Sequence, residues 1–302
     1  MPIWMAFALV TLIWGSTPLA VQWSQGGVDY LFAVTARIAI GAVLFLLLIP
    51  WLQRRPVTFR QLVIVSAIAG LNLFASMLCV YWGARFIPSG WISVLFGLGP
   101  VLTGIMAALW LKEPFTLDKW IGSLFGLGGL AIIFGQGGAL GEQTMVGVAA
   151  LVLAVVIYSA GNIGIKRWGE GVSPLWITAG SLWFALPLYG LSLWLSGTPW
   201  PEGIPLRAEA AILYLGLIAN GVGFVSFYYL LSRVSAANAV LVTLSAPVFA
   251  LWIGYAFNHE TLRGGVIPGT ILILGGLSFF QWGSPLVNRY NVTRIPKTNS
   301  CE

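Results

Sequence analysis

Apolar and polar residues follow each other in long blocks along this chain rather than in a fine alternation. Apolar runs of about 20 residues, the length a helix needs to cross a bilayer, recur from end to end. Short punctuations such as Ile87-Pro88-Ser89-Gly90 separate them, as turn-forming residues should. The blocks predict spans over 3–23, 30–50, 61–82, 88–110 and 117–135. A second set follows over 145–166, 174–196, 208–231, 237–257 and 265–282. The expected fold class is therefore all-α integral membrane, with ten transmembrane helices.

The second half of the pattern repeats the first. Tyr81 and Arg85 return as Tyr229 and Arg233 at an offset of 148. Pro100, Glu113, Gly122 and Gly128-Gly129 return as Pro247, Glu260, Gly269 and Gly275-Gly276 at 147. Five spans per half is an odd number, so the second half enters the membrane in the opposite sense. That predicts two inverted five-helix repeats, the construction of many carriers that rock between two access states. The expected units are residues 1–135, residues 136–283 and a tail at 284–302.

Charge fixes the expected orientation. With the N-terminus in the cytoplasm, the inner segments hold Arg54, Arg55, Arg60, Lys112, Lys119, Lys166, Arg167, Arg233, Arg289, Arg294 and Lys297. The outer ones hold only Arg85, Arg207 and Arg263. Eleven against three is the bias of the positive-inside rule, and it places both termini in the cytoplasm.

Composition narrows the function class. Charged residues are 8% and mean hydropathy is +0.90, so no stretch is left over for a soluble domain. The net charge of +6 sits at span ends rather than in one patch and does not point to nucleic acid. The opening Met1-Pro2-Ile3-Trp4 has no basic lead and no cleavage site follows, so it reads as a retained first helix. The tail from Ser284 reads as disordered. Cys79 and Cys301 make no disulfide framework. The lone His259, beside Glu260, has no second His or Cys to form a metal site, and there is no phosphate-binding loop. Neither enzyme nor cofactor is expected, nor a channel, since no filter-like run is present. No Asp or Glu lies in the interior of a predicted span, which argues against a carboxylate proton relay.

The passage "LWLKEPFT…GSLFGLGGLAII", its echo "NHETLRGGVIPGTILILGGL", the opening Ile13-Trp14-Gly15-Ser16 and the "TARIAIG" around Arg37 resemble the drug/metabolite transporter superfamily, in particular its EamA-type exporters. The likeness covers about residues 3–282. It implies a bacterial inner-membrane protein that exports small metabolites, amino acids or related compounds among them. Drugs or sugar-nucleotides are the alternative cargo. An integral-membrane enzyme would need clustered His, Asp or Glu at one face, and only His259-Glu260 qualifies.

Candidate site residues follow from polarity inside the spans. Arg37 is the one charge well inside a span, so it either meets a substrate anion or snorkels to the headgroups. Asn72 and Asn220 match between the repeats. Asn72 shares a helical face with Ser76 and Cys79, and Asn220 with Gly216 and Phe227. These faces either line a substrate path or bond neighbouring helices. Tyr158 and Asn162 lie one turn apart where the first repeat has Trp14 and Pro18, and stand for recognition or for packing. Pro18, Pro100 and Pro247 each remove a backbone hydrogen bond, giving hinges or static kinks. Trp residues near span ends, such as Trp4 and Trp282, read as the interfacial belt. Glycines at 122, 126, 128 and 129, and at 265, 269, 275 and 276 in the second half, predict close helix packing within the protomer or between two. Expected partners are a small-molecule substrate and the lipid bilayer, for a monomer or a homodimer.

Overall fold

A backbone in hydrocarbon must satisfy its own N–H and C=O groups, and a helix does so within one segment. The computed structural model describes residues 1–48, 58–113, 115–135, 141–258 and 264–282, and the regular elements among them are all helical. They are α1 (Ile3–Ser24), α2 (Tyr30–Leu48), α3 (Phe59–Gly83), α4 (Ser89–Phe96), α5 (Gly99–Trp110), α6 (Leu117–Gly135) and α7 (Glu142–Trp168). Then come α8 (Pro174–Ser196), α9 (Leu206–Tyr214), a π-helical segment (Leu215–Gly223), α10 (Phe224–Leu231), α11 (Ala236–Val240), α12 (Val242–Asn258) and α13 (Val266–Trp282).

Seven helical stretches are long and apolar enough to cross a membrane: α1, α2, α3, α7, α8, the α4–α5 stretch and the α9–α10 stretch. The chain is thus an all-helical, multi-pass membrane protein. The tail, Arg54, Arg55, His259, Glu260 and Arg263 lie outside the described residues.

Local chemistry explains several boundaries. Thr58 Oγ1 accepts from the Gln61 N–H and starts α3, and Ser235 does the same for Asn238 at the head of α11. Gly197 ends α8 with φ +62°, the left-handed conformation glycine adopts without a Cβ clash.

The structure departs from ten plain rods in two places. The expected span 88–110 is broken into α4 and α5 at Gly97-Leu98, two residues before Pro100, which sits in the first turn of α5. Proline has no N–H to give the Phe96 carbonyl four residues back, and its ring crowds that group, so the ladder is interrupted ahead of the ring. The expected span 237–257 divides at Leu241, well before Pro247, which lies inside α12. The matched prolines therefore do not mark matched breaks. The second departure is the π segment, which occupies the middle of the span around Asn220, whereas α3 is regular around Asn72.

Packing places the elements. α3 lies between α7 and α8; α2 packs on α8 and on the π segment; α1 packs on α12 and on the α9–α10 stretch. α6 and α13 form an antiparallel pair. A Cβ on Gly122 would stand 2.6 Å from Gly276 O, and one on Gly129 would stand 2.5 Å from Gly269 O. Only glycine allows that approach.

Polar contacts gather at two ends of the bundle. At one end Gln61 Nε2 donates to Trp168 O and Glu170 O, and Arg167 to Trp110 O. There Lys166 pairs with Glu113 at 3.6 Å and donates to Leu231 O and Val234 O, while Tyr229 Oη donates to Met1 O. At the other end Gln22 donates to Ile87 O, Arg85 lies over the Tyr30 ring, and Arg207 lies 3.9 Å over Trp23.

Candidate functional site

Between these ends a cavity opens among α1, α2, α3, α4, α7, the π segment, α10 and α12. Its volume is about 80 Å³. At roughly 10–15 Å³ per water, it holds a few waters as it stands, and a larger guest requires the walls to part. Trp14, Pro18, Arg37 and Tyr158, all picked out from the sequence, lie on its wall.

Arg37 is 1% exposed, enclosed by helices and not reaching toward headgroups. It is held by a two-way clasp. Arg37 Nη2 donates to Asn220 Oδ1 at 2.5 Å, and Asn220 Nδ2 donates back to Arg37 O at 3.0 Å. Glycine makes the clasp possible. A Cβ on Gly216 would come 2.7 Å from the Ile40 side chain, and one on Gly41 would come 3.1 Å from Asn220 Nδ2. Without those hydrogens the backbones of α2 and the π segment could not close up. The guanidinium also lies 5.8 Å from the centroid of the Tyr81 ring. Its Nε and Nη1 find no partner among the described residues.

An aromatic cage shares the wall with the guanidinium. Trp14 lies edge-on to Tyr158 at 6.2 Å and to Phe224 at 5.9 Å, and is 4.8 Å from Phe227; Phe96 meets Tyr158 at 5.7 Å. Such ring pairs add order beyond the area they bury. Phe227 itself is fully buried behind Trp14. Asn162, one turn beyond Tyr158, is fully buried, and neither its amide atoms nor Tyr158 Oη has a hydrogen-bond partner of standard geometry.

The α1 backbone beside the cavity is loosened and then patched. Pro18 leaves the Trp14 carbonyl without its helical donor. The neighbouring Ile13 carbonyl receives Thr17 Oγ1 at 2.8 Å, Ser16 Oγ at 2.9 Å and Tyr214 Oη at 3.4 Å. These hydroxyls brace the turn ahead of the proline.

Other sequence candidates sit elsewhere. Asn72 packs against Gly161 of α7, and Ser76 Oγ donates to Asn72 O on its own helix; neither lines the cavity. Asn220 stands behind Arg37 and not on the wall. Pro100 is buried at the start of α5, and Pro247 belongs to α12. Conversely, sequence reasoning passed over Met77, Val80, Ile92 and Ser93, which are wall residues. Nothing in their types marks them, since Met, Val and Ile are the ordinary filling of a span. The π segment also escaped it, because its glycine-rich sequence is equally compatible with a plain α-helix.

Residues 1–135 and 145–281 each match the EamA-like transporter family. Among relatives, the uncharacterized transporter YoaV of Bacillus subtilis is 28% identical over 276 residues, covering 89% of this chain and 92% of its own. A "probable terminal-alkyne amino-acid exporter" of Streptantibioticus cattleyicolor is 26% identical over 292 residues, covering 96% and 94%. PagO of Salmonella typhimurium is 25% identical over 272 residues, covering 85% and 86%. A solved crystal structure superposes with a TM-score of 0.74 over 93% of this chain and 98% of its own; at 21% identity it speaks for the fold alone. With two matches spanning nearly all of an all-helical membrane chain, the protein belongs to the EamA-like transporter family and is a transporter rather than an enzyme.

Proposed function

We propose that this transporter exports small metabolites, amino acids or related compounds, across a bacterial inner membrane by alternating access, with both termini in the cytoplasm. The observation that carries the reading is Arg37: a guanidinium buried on the wall of a mid-bundle cavity, clasped by a neutral asparagine, with donors to spare. A planar guanidinium can take a cargo carboxylate through two parallel hydrogen bonds.

Alternating access is supported by the paired contacts of the two halves. Counting α6, α12 and α13 as spans brings the helical stretches to ten. Under the offset of 147, the contacts Gly122–Gly276 and Gly129–Gly269 exchange with each other, as a pseudo-two-fold axis requires. Likewise α3 on α8 mirrors the π segment on α2. The cavity lies where helices of both halves meet. A phosphorylated cargo such as a sugar-nucleotide is less well served, since Arg37 is the one cation on the described wall.

The test is export from cells overexpressing the protein, screened over amino acids and toxic analogues. Arg37→Ala, at equal membrane levels, should lose most of the resistance or efflux, and Arg37→Lys should restore part of it. Equal protection by the alanine variant would remove Arg37 from cargo binding.

A further inference from the structure

The cavity carries a charge that no described carboxylate balances. Arg37 is the charged residue of its wall, and a guanidinium does not shed its proton. Its hydrogen-bond partner, Asn220, is neutral. The described carboxylates stand elsewhere: Asp29, Glu113, Glu170 and Glu202 in connections, Asp118, Glu142 and Glu209 in first helical turns. The hydroxyls of Thr17 and Thr243 already donate to Ile13 O and Val240 O of their own helices. They offer lone pairs to a guest, as the cage offers ring faces. These are dipoles and quadrupoles, not countercharges. An isolated buried charge is costly and is offset fully only by an opposite one.

The charge balance points to a cargo class. We infer that the cavity is matched to an organic monoanion: one carboxylate on Arg37, an apolar body in the cage of Trp14, Tyr158, Phe96 and Phe224, and no ammonium group. Deaminated or N-acylated relatives of amino acids have that chemistry; free amino acids do not. A monoanion brings the site to neutrality. A zwitterion leaves it positive and sets its ammonium in the same dry space as the guanidinium. A dianion leaves it negative. This inference rests on the reading of the cavity as the cargo site, and it narrows that reading from amino-acid-like compounds to organic acids.

Binding to the purified full chain in detergent tests it at neutral pH. The probes are two matched sets: 3-phenylpropionate, phenylalanine and phenethylamine; and 4-methylpentanoate, leucine and 3-methylbutylamine. A ligand of the folded state raises the melting temperature, and the rise continues with the logarithm of its concentration above Kd. At least one acid should reach a given shift at a concentration at least about tenfold below that of its zwitterion, and the amines should give no shift. Arg37→Gln should abolish the acid's effect and Arg37→Lys keep part of it. If Arg37→Gln does not fold, the ranking of acid, zwitterion and amine on the wild-type chain still decides. A zwitterion that binds as well as its acid overturns the inference, as does an acid effect that survives Arg37→Gln, or the absence of any shift across both sets. Amino-acid export in cells that depends on Arg37 would leave the broader reading standing in that event; export indifferent to Arg37→Ala would remove both.

Discussion

At the scale of the residue, everything turns on what Arg37 is paired with. Its clasp with Asn220 consists of one bond in each direction and joins residues 183 positions apart. A charge inside an apolar run was visible in the sequence; its partner was not, because no local rule links residues so distant. The repeat was misleading here. It equated Asn72 with Asn220, yet the fold turns one toward Gly161 and the other toward Arg37. The clasp gives a sharp prediction. Asn220→Asp places a carboxylate at the guanidinium and balances it internally. The stronger bond to the guanidinium is offset by the loss of the one that Asn220 Nδ2 gives to Arg37 O, so the melting temperature should change little. Transport should drop more than about tenfold, because cargo must then compete with a built-in anion. Unimpaired transport by a well-folded Asn220→Asp would show that Arg37 does not receive the cargo.

At the scale of the element, the apolar blocks made the helices legible, and their interruptions were legible only in kind. The prolines announced weak points but not their places. The actual breaks fall at Gly97-Leu98, just ahead of Pro100, and at Leu241, well ahead of Pro247. The hinge hypothesis keeps its test. Pro100→Ala and Pro247→Ala should insert and fold normally, slow transport, and shift cysteine accessibility in opposite directions. Wild-type rates with unchanged accessibility would make both prolines static. Close packing at the glycines of α6 and α13 was legible in advance, because small residues at helical spacing have few other uses in a span; that the two helices pack on each other was not. Gly122→Leu should therefore overpack the α6–α13 contact at a cost of about 1–3 kcal/mol, read as a lower melting temperature. Gly190→Leu, on an exposed face of α8 where a Cβ meets nothing within 4 Å, is the control and should change little.

At the scale of the whole molecule, the sequence pattern and the fold meet in the two ends of the bundle. Arg60, Lys112, Lys166, Arg167 and Arg233 belong to the end held by Lys166 and Gln61; Arg85 and Arg207 belong to the other. That sorting favours the first end as cytoplasmic. A fluorescent protein fused after Glu302 should fold and glow, and alkaline phosphatase fused there should be inactive; the reverse would overturn the ten-span topology. The cavity belongs to this scale too. Its wall draws on helices from both halves, which is why Met77, Ile92 and Ser93 carried no mark in the linear chain. The most direct measurement of the central claim is cargo flux in proteoliposomes holding equal amounts of wild type, Arg37→Ala and Arg37→Lys. The account predicts saturable flux by the wild type, flux near the protein-free background for Arg37→Ala, and an intermediate rate for Arg37→Lys. Equal flux by all three would contradict it.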